Sequence, residues 1–394
     1  MKDEGKMEDK NRLMSLDALR GADMLFIMGF SGAVVAFCQL IGFSKDCWLA
    51  TQMSHVAWHG IRHHDTIFPL FLFLAGVSWP FSLASQIERG RSTRQIVLKV
   101  VRRALTLWLL GLIAYTTFWK FDFVHLRYDP VLAHIGICWG VAALVTLFVR
   151  DFRARLGIAA GLLVAHFLVL TLFTAPDAAS ILSSSDPAIA KRVASYAAYG
   201  TGPFSFAENI AGWIDRTIMP GRLTEAVFDA DGILAKLTGT AIALFGVTAG
   251  QILRNDVWTG NRRTVVLLGS GLVALAVALA WSPWCIINKK LWTSTFALAA
   301  SAYSFVALAL FYWIVDVKGW RRWTFFFRVI GMNSITIYML MTFAGFGAMS
   351  KRFFAGVAAF GNEHWATLVY ELGQVAIEWL VLFWLYRKKT FLKI

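Results

Sequence analysis

Four histidines and one aspartate crowd into a short segment of the sequence. The histidines fall within ten residues, at His55, His59, His63 and His64. Imidazole titrates near neutral pH and is the side chain most often used as a general base or transfer nucleophile. Asp65 follows the cluster, and Pro69 suits the first turn of a helix, so Asp65 is expected near a helix N-terminus, where it can orient an imidazole. The segment therefore favours catalysis by one histidine held by its neighbours and Asp65.

Two other interpretations of the cluster stay open. The histidines can be incidental residues of an interfacial loop. Alternatively, His55, His59 and His63 have the i, i+4, i+8 spacing with which one helix face presents ligands to Zn²⁺. Gly60 interrupts such a helix. Apart from Asp65, no carboxylate or cysteine lies close by in the sequence. We therefore expect no metal.

Composition places this cluster in a membrane protein. The chain has 394 residues, of which 58% are hydrophobic and 16% charged, whereas soluble domains have about a quarter of their residues charged. Four cysteines are too few for a disulfide scaffold. The net charge of +14 comes from basic residues between long apolar runs, without any nucleic-acid recognition motif. The expected partner is thus a lipid bilayer and not a nucleic acid.

Ten stretches are long and apolar enough to approach the roughly 20 residues that cross a bilayer. They lie at about 22–42, 66–86, 104–119, 131–149, 156–174, 233–252, 264–282, 291–315, 324–344 and 366–386. These stretches predict an all-α fold, a polytopic integral membrane bundle of about ten or eleven transmembrane helices. We expect one transmembrane domain over 1–394.

Lysine and arginine set the expected orientation. If the N-terminus is cytoplasmic, every inside segment is basic, and acidic residues dilute the outside ones, so the positive-inside rule places both termini in the cytoplasm. Residues 1–13 then form a cytoplasmic leader. Residues 175–232 form a long periplasmic loop that we expect to fold as short helices on the outer face.

Several ionisable or thiol side chains lie in or beside the predicted spans. Asp17 and Arg20 share one helix face and form either a local ion pair or part of a functional site. Asp23 is a candidate partner for Arg103 or Arg328. Further residues have more than one interpretation at this level: Glu371 and Glu378 as contacts between helices or as functional acids, and Cys47 and Cys285 as a disulfide or as free thiols.

The chain resembles the heparan-α-glucosaminide N-acetyltransferase family, whose members are the lysosomal enzyme and its bacterial inner-membrane relatives. The resemblance covers nearly the whole chain from residue 12 onward, and its strength lies in the order of its motifs. These are Asp17-x-x-Arg20-Gly21, His55-x-x-Trp58-x-Gly60, Asp65-x-x-Phe68-Pro69, Ile214-Asp215-Arg216, Asp229-Ala230-Asp231-Gly232, Asn288-Lys289-Lys290-Leu291-Trp292 and Gly331-Met332-Asn333-Ser334.

Roles follow from this resemblance by position. His55 matches the active-site histidine of the family, and Asp65 matches the acid that opens the next span. Residues expected on the substrate side are Trp58, His59, Asp215, Asp231, Asn288, Lys289, Trp292 and Asn333. Asp17 and Arg20 are also expected to bind the acyl donor at the inner face. The negative phosphates of CoA further indicate Arg102 and Arg103 of an inside segment as donor-binding residues, although these arginines can equally be topology signals alone.

Some positions depart from the family pattern. Ser31 or a neighbour stands where the luminal enzymes have asparagine, and His59 also replaces an asparagine. The family's Gln-Arg pair in the fourth span is Ala133-His134 here. These changes leave the acceptor open.

The resemblance implies an acyltransferase in the bacterial inner membrane. Acetyl would pass from cytoplasmic acetyl-CoA, as co-substrate, to the amino group of a glucosamine-type sugar or glycan on the periplasmic side. His55 would either carry the acetyl group or deprotonate the acceptor. Whether the protein forms a homodimer stays open.

Three rival functions remain. One is a transporter for an amino sugar or its N-acetyl form, although no internal repeat supports it. Another is a Zn²⁺-dependent membrane hydrolase. The third is an O-acyltransferase that acts on an envelope polysaccharide.

Overall fold

The apolar runs fold as helices because a backbone surrounded by lipid has to satisfy its own hydrogen bonds. The computed structural model describes residues 13–392 of the chain. This part contains 18 α-helices and no strands: α1 Met14–Leu25, α2 Ser31–Leu40, α3 Trp48–Gln52, α4 His63–Glu88, α5 Thr93–Ile113, α6 Thr116–Trp119, α7 Val131–Phe148, α8 Phe152–Leu172, α9 Ala178–Leu182, α10 Pro187–Tyr196, α11 Ile210–Ile218, α12 Ala235–Leu253, α13 Gly260–Trp281, α14 Ser294–Tyr312, α15 Thr324–Gly331, α16 Ser334–Phe343, α17 Phe346–Ala358 and α18 Glu363–Arg387. The predicted all-α class is confirmed for these residues.

Eight helices within the described residues are long and apolar enough to cross a membrane, and the count is nine if a bent pair forms one more span. The bent pair is α15 and α16, whose axes differ by 68° across the break at residues 332–333. One of the eight, Met14–Leu40, joins α1 and α2 through a π-helical turn at Phe26–Phe30. These helices establish a multi-pass membrane protein.

The predicted stretch 104–119 falls on two helices. α5 ends at Ile113, and the short α6 follows it. α5 is 21 residues long, but its first half carries basic residues and it is absent from the eight. Most of the predicted leader, residues 1–12, lies outside the described residues.

The described residues group into two units. The first falls within Met1–Ser54, Asn255–Ser270 and Phe305–Lys393. In it, α1 and α15 approach closely because Gly21 faces the backbone of Phe327 and Gly331 faces the backbone of Asp17. Gly29 has φ 116° and interrupts the helix between α1 and α2, a conformation that glycine adopts readily.

The second unit comprises His55–Arg254 and Gly271–Ser304. Its centre is the pair formed by α4 and α12. Gly76 of α4 faces the backbone of Ala243, and Gly246 and Gly250 of α12 face the carbonyls of Phe73 and Val77. Small residues at such a seam let two helix backbones touch, as is common between helices in membranes.

Residues 175–232 contain the short helices α9, α10 and α11. Each of the last two has a side-chain cap. Asp186 accepts a hydrogen bond from the backbone of Ala188, and Asn209 accepts one from Gly212. Asp215 on α11 accepts hydrogen bonds from the backbone N–H groups of Asp229 and Ile233, each at 3.0 Å, which holds the chain that leads into α12.

Candidate active site

Asp65 is the buried carboxylate to which the histidine of the site is hydrogen-bonded. It lies in the first turn of α4, which begins at His63, so Pro69 lies inside the helix and not in its first turn as the sequence suggested. The carboxylate is fully buried and accepts three hydrogen bonds, from the backbone N–H of Val56 at 3.2 Å, that of Arg62 at 3.0 Å and the Nδ1 atom of His55 at 2.8 Å. Three donors fix the orientation of the carboxylate.

His55 contacts the Asp65 carboxylate, and 52% of the His55 side-chain surface is exposed. Because the Asp65 carboxylate can only accept, Nδ1 of His55 is the donor in this hydrogen bond. The guanidinium of Arg62 donates to the carbonyl oxygen of His55 at 3.1 Å, and the ring of His64 lies edge-on at 4.5 Å between centroids. The ring is therefore held by the Asp65 carboxylate on one side while about half of the His55 side-chain surface stays exposed.

Lys289 is the third member of the group. Its Nζ lies 3.0 Å from Nδ1 and 3.3 Å from Nε2 of His55, and 3.9 Å from Oδ1 of Asp65. Burial lowers the pKa of Lys289 below its ordinary value, against the opposing effect of the Asp65 and Asp231 carboxylates. A lysine with a lowered pKa exchanges its proton more readily near neutral pH.

A tight loop positions Lys289. The side chain of Asn288 accepts a hydrogen bond from the backbone of Leu291 at 2.9 Å, and Thr293 Oγ1 accepts one from the backbone of Asn288 at 3.0 Å. The loop is joined to the segment of His55, because the backbone N–H of Gly60 donates to the carbonyl of Ile287 at 2.8 Å. The segment that carries His55 is thus hydrogen-bonded to the loop that carries Lys289.

An aromatic layer lies beside this loop. The rings of Trp292 and His134 lie 4.4 Å apart, and Phe68 contacts both edge-on at 5.2 and 5.3 Å. Trp292 Nε1 donates to Asp231 at 3.3 Å, and Asp231 also pairs with Arg127 at 2.8 Å. Trp292 and Asp231 are buried, so in this structure they brace the site.

The other residues expected on the substrate side have different placements. Trp58 is 2% exposed, packs against Tyr196, Phe206 and Phe228, and donates from Nε1 to the Phe204 carbonyl at 3.0 Å. His59 is exposed. Asp215 is buried on α11, and burial raises its pKa to about 7, although two backbone N–H groups favour its charged form.

Residues expected to bind the acyl donor divide between the two units. Asp17 and Arg20 form an ion pair at 3.7 Å in the first unit, where Asn333 is also buried, at the break between α15 and α16. In the second unit, Arg102 is exposed on α5, whereas the Arg103 guanidinium lies over the ring of Trp139 at 4.1 Å. Among the residues predicted for the substrate side, Lys289 contacts both members of the predicted catalytic pair, His55 and Asp65.

Two members of the site were missed in the sequence. Arg62 stands three residues before Asp65 and donates a backbone hydrogen bond to its carboxylate, but arginine is not a usual residue at a helix N-cap and no pattern in the sequence singles it out. Tyr303 accepts or donates a hydrogen bond at His63 Nδ1 over 3.1 Å. No sequence signal connects Tyr303 of α14 with His63, since the contact depends on the packing of distant helices.

Metal and disulfide interpretations find no support in the described residues. Residues 53–62 form turns and irregular chain, so the helix that would align His55, His59 and His63 does not form. No group of three potential ligands occurs within residues 13–392. Cys47 and Cys285 are free thiols, as are Cys38 and Cys138. Asp23 is buried, and its carboxylate has no hydrogen-bond partner among the described residues.

The chain is similar in sequence to known proteins. No family model matches the chain. Two curated proteins named heparan-alpha-glucosaminide N-acetyltransferase do match: the one from Mus musculus is 25% identical over 432 residues, and the one from Homo sapiens is 27% identical over 428 residues. The matches cover 99% and 97% of this chain but 62% and 60% of the relatives, so the chain spans about three fifths of their length. Over nearly its whole length the chain is thus similar in sequence to two proteins that carry the name heparan-alpha-glucosaminide N-acetyltransferase.

Proposed function

We propose that the protein is a membrane acetyltransferase of the bacterial inner membrane. It takes acetyl from cytoplasmic acetyl-CoA and transfers it to the amino group of a glucosamine-type sugar on the periplasmic side. The names of the two relatives support the reaction class. The observation that carries the proposal is the half-exposed His55 ring bonded at 2.8 Å to the fully buried Asp65 carboxylate, with Lys289 at the ring edge.

His55 Nε2 can act in two ways. As a nucleophile it attacks the thioester carbonyl, the C–S bond breaks, CoA leaves as the thiol after taking up a proton, and an acetyl-imidazole forms. The acceptor amine then attacks that carbonyl and frees His55. As a general base, Nε2 removes a proton from the acceptor ammonium; the resulting amine attacks the thioester carbonyl directly, the C–S bond breaks, and CoA leaves as the thiol after taking up a proton. Asp65 stabilises the developing positive charge on the ring in both cases.

Lys289 donates a hydrogen bond to the oxygen of the thioester carbonyl as the reaction proceeds. The tetrahedral intermediate carries a negative charge on this oxygen, and a fixed donor beside the nucleophile lowers the barrier. Lys289 Nζ lies within 3.3 Å of both ring nitrogens of His55. An oxygen bound to Nζ would therefore lie next to the carbon that Nε2 attacks.

The topology that supports this reaction has ten spans. Nine come from the apolar helices, with the bent pair α15–α16 as one span, and α5 is the tenth. An even number returns both termini to the same side, and the basic segments place that side in the cytoplasm. His55 then lies on the periplasmic side, one crossing after the N-terminus.

A hydroxyl acceptor is the second candidate. Lys289 Nζ lies 3.0 Å from the His55 ring, and the Arg62 guanidinium lies close by. Two cations beside the base repel an ammonium acceptor but not a neutral hydroxyl group. O-acetylation of an envelope polysaccharide would use the same His55, Asp65 and Lys289.

The reaction can be tested with the purified protein in detergent. Acetyl-CoA and glucosamine should yield N-acetylglucosamine and CoA in equal amounts, measured by mass spectrometry. A polysaccharide fragment without free amines is the matched acceptor for O-acetylation. Exchange of labelled CoA into acetyl-CoA without acceptor would support the acetyl-imidazole route, and its absence the general-base route. Uptake of sugar into proteoliposomes that does not depend on acetyl-CoA, with no acetylated product, would contradict the proposal.

A further inference from the structure

A basic and aromatic surface lies in the first unit, where α13 and α15 begin and α14 ends. Two segments form it, residues 255–263 and 313–323. The segments pack against each other, because a Cβ atom on Gly260 would lie 2.7 Å from Cγ2 of Val317. Together they carry five basic residues and two acidic ones. This basic–aromatic surface therefore has an excess of positive charge.

Most of the positive charge is not neutralised within the protein. The two acidic residues already have partners: Asp256 pairs with Arg263 at 3.5 Å, and Asp316 accepts a hydrogen bond from the backbone N–H of Ser15 at 3.2 Å. Among residues 13–392, no carboxylate pairs with the four remaining basic side chains, which are all exposed: Arg262, Lys318, Arg321 and Arg322. Four exposed cations on two packed segments suit an anionic ligand from outside the protein, and arginine in particular suits phosphate.

Indole rings lie among these cations. The Arg262 guanidinium lies 4.8 Å from the ring centroid of Trp258, and Lys318 Nζ lies 5.0 Å from that of Trp313. Trp320 is 65% exposed. Tryptophan is enriched where the membrane meets water, since its ring is apolar and its N–H is polar. The surface thus combines groups that bind phosphate with groups that suit the glycerol level of a lipid.

The turn between α14 and α15 has a fixed backbone. The N–H of Trp320 donates to the carbonyl of Ile314 at 3.0 Å, and Nε of Arg321 donates to the carbonyl of Val315 at 3.2 Å. A side chain that is already held loses less entropy when a ligand binds. Trp320 and Arg321 are therefore preorganised at the surface.

The turn between α4 and α5 has comparable charge without the rings. Its exposed arginines are Arg89, Arg91 and Arg94, and no tryptophan falls between residues 80 and 107. Both turns satisfy the positive-inside rule equally well. The tryptophans of the basic–aromatic surface are thus an additional feature that orientation in the membrane does not require.

We propose that the basic–aromatic surface binds the phosphate headgroup of an anionic glycerophospholipid. Arg262, Arg321 and Arg322 donate to the phosphate oxygens, and the exposed Trp320 ring contacts the glycerol and the upper acyl chain. The basic segments place this end of the helices at the cytoplasmic leaflet, where net negative lipids attract lysine and arginine. The site shares no residue with the His55, Asp65 and Lys289 group and does not depend on the reaction proposed above.

Native mass spectrometry of the full chain in detergent tests the proposal with dioleoylphosphatidylglycerol and dioleoylphosphatidylcholine as probes. The wild-type protein should bind the first molecule of the anionic lipid about tenfold or more tightly than the zwitterionic one. A triple variant with Arg262→Gln, Arg321→Gln and Arg322→Gln should bind the anionic lipid at least about 20-fold more weakly, because each basic residue near the membrane surface contributes about fivefold.

A matched triple variant provides the control for charge alone. It carries Arg89→Gln, Arg91→Gln and Arg94→Gln, which remove the same charge from exposed positions without rings, and it should bind the anionic lipid within about threefold of wild type. An equal loss of affinity in the two triple variants would overturn the site, because it would reduce the effect to net charge. Equal binding of the two lipids by the wild-type protein would overturn it as well.

Two further measurements separate a lipid from a free phosphate ion and binding from folding. Trp320→Ala should weaken binding of the anionic lipid about three- to tenfold, because apolar contact is lost, and inorganic phosphate in large excess should not displace the lipid. The replaced side chains are exposed, so the unfolding temperatures without lipid should match that of the wild type. Displacement by inorganic phosphate would assign the surface to the free ion and overturn the lipid proposal. Wild-type lipid affinity in the variant with Arg262, Arg321 and Arg322 replaced would overturn the assignment of these residues.

Discussion

The Nδ1 atom of His55 lies 2.8 Å from Oδ1 of Asp65, and the two side chains differ sharply in exposure, at 52% and 0%. The buried carboxylate is held by two backbone N–H groups and cannot turn away from the ring. A second pair in the chain, His125 with Asp122 at 2.9 Å, is exposed on both sides, at 70% and 40%. The first pair has the fixed geometry that proton transfer needs, and the second serves as its control.

Asp65→Asn should lower acetyl transfer about 10²-fold or more. The amide cannot stabilise a charged imidazole, and its NH₂ group favours the wrong tautomer of His55. Initial rates of CoA release measure the effect. Asp122→Asn changes an equivalent but exposed pair and should leave the rate unchanged. Transfer by Asp65→Asn within threefold of wild type would contradict the role of the pair.

Lys289→Gln and Lys290→Gln should differ although the two lysines are adjacent. Lys289 contacts His55, so its replacement should reduce kcat about 10- to 10²-fold with little change in unfolding temperature. Lys290 instead donates to Glu225 at 2.7 Å and to the Tyr196 hydroxyl at 2.5 Å. Its replacement should lower stability by about 1 kcal/mol or more while kcat stays within a few-fold. Equal losses of kcat in both variants would count against the assignment of Lys289.

Gly246→Ala should destabilise the protein by about 1–3 kcal/mol, because the added Cβ meets the carbonyl of Phe73 across the seam of α4 and α12. Gly161 of α8 faces open space, so Gly161→Ala should stabilise the helix by about 0.5–1 kcal/mol. Thermal unfolding in detergent compares the two. A Gly246→Ala variant as stable as Gly161→Ala would show that the two helices do not pack as described.

Asp215 should make stability fall as pH rises from about 4 to about 7. Burial raises its pKa to about 7 in the folded protein, while the unfolded chain ionises near 3.8. Between these values the folded state binds more protons, so unfolding becomes easier with rising pH, by on the order of a few kcal/mol. Asp215→Asn should flatten this part of the profile of unfolding temperature against pH. An unchanged slope would mean that Asp215 ionises normally.

The helical architecture could be predicted largely from the sequence, because apolar length alone decides whether a segment suits the bilayer. The exact helix boundaries could not be predicted from the sequence. α4 begins at His63 and not near Pro69, since the Asp65 carboxylate accepts a hydrogen bond from the backbone N–H of Arg62 and so stabilises an earlier turn. The bend between α15 and α16 depends on packing that a hydropathy pattern does not contain.

The site was predictable in part. The cluster of histidines and Asp65 pointed to the pair at the N-terminus of α4, because neighbours in sequence remain neighbours in space. The contact between Lys289 and His55 joins residues more than 230 positions apart, and it was not predicted: the resemblance placed Lys289 on the substrate side without linking it to His55. For Trp58, the motif suggested a place on the substrate side. In the structure its ring is buried in an aromatic cluster.

Acetyl transfer by His55→Ala across a sealed membrane tests the central claim most directly. The protein is reconstituted in proteoliposomes, with labelled acetyl-CoA on the side of the basic segments and glucosamine on the other, and labelled N-acetylglucosamine is counted. Wild type and His125→Ala should transfer at equal rates, and a normally folded His55→Ala should retain less than about one hundredth of that rate. Retention of more than about a tenth would contradict a nucleophilic or general-base role for His55.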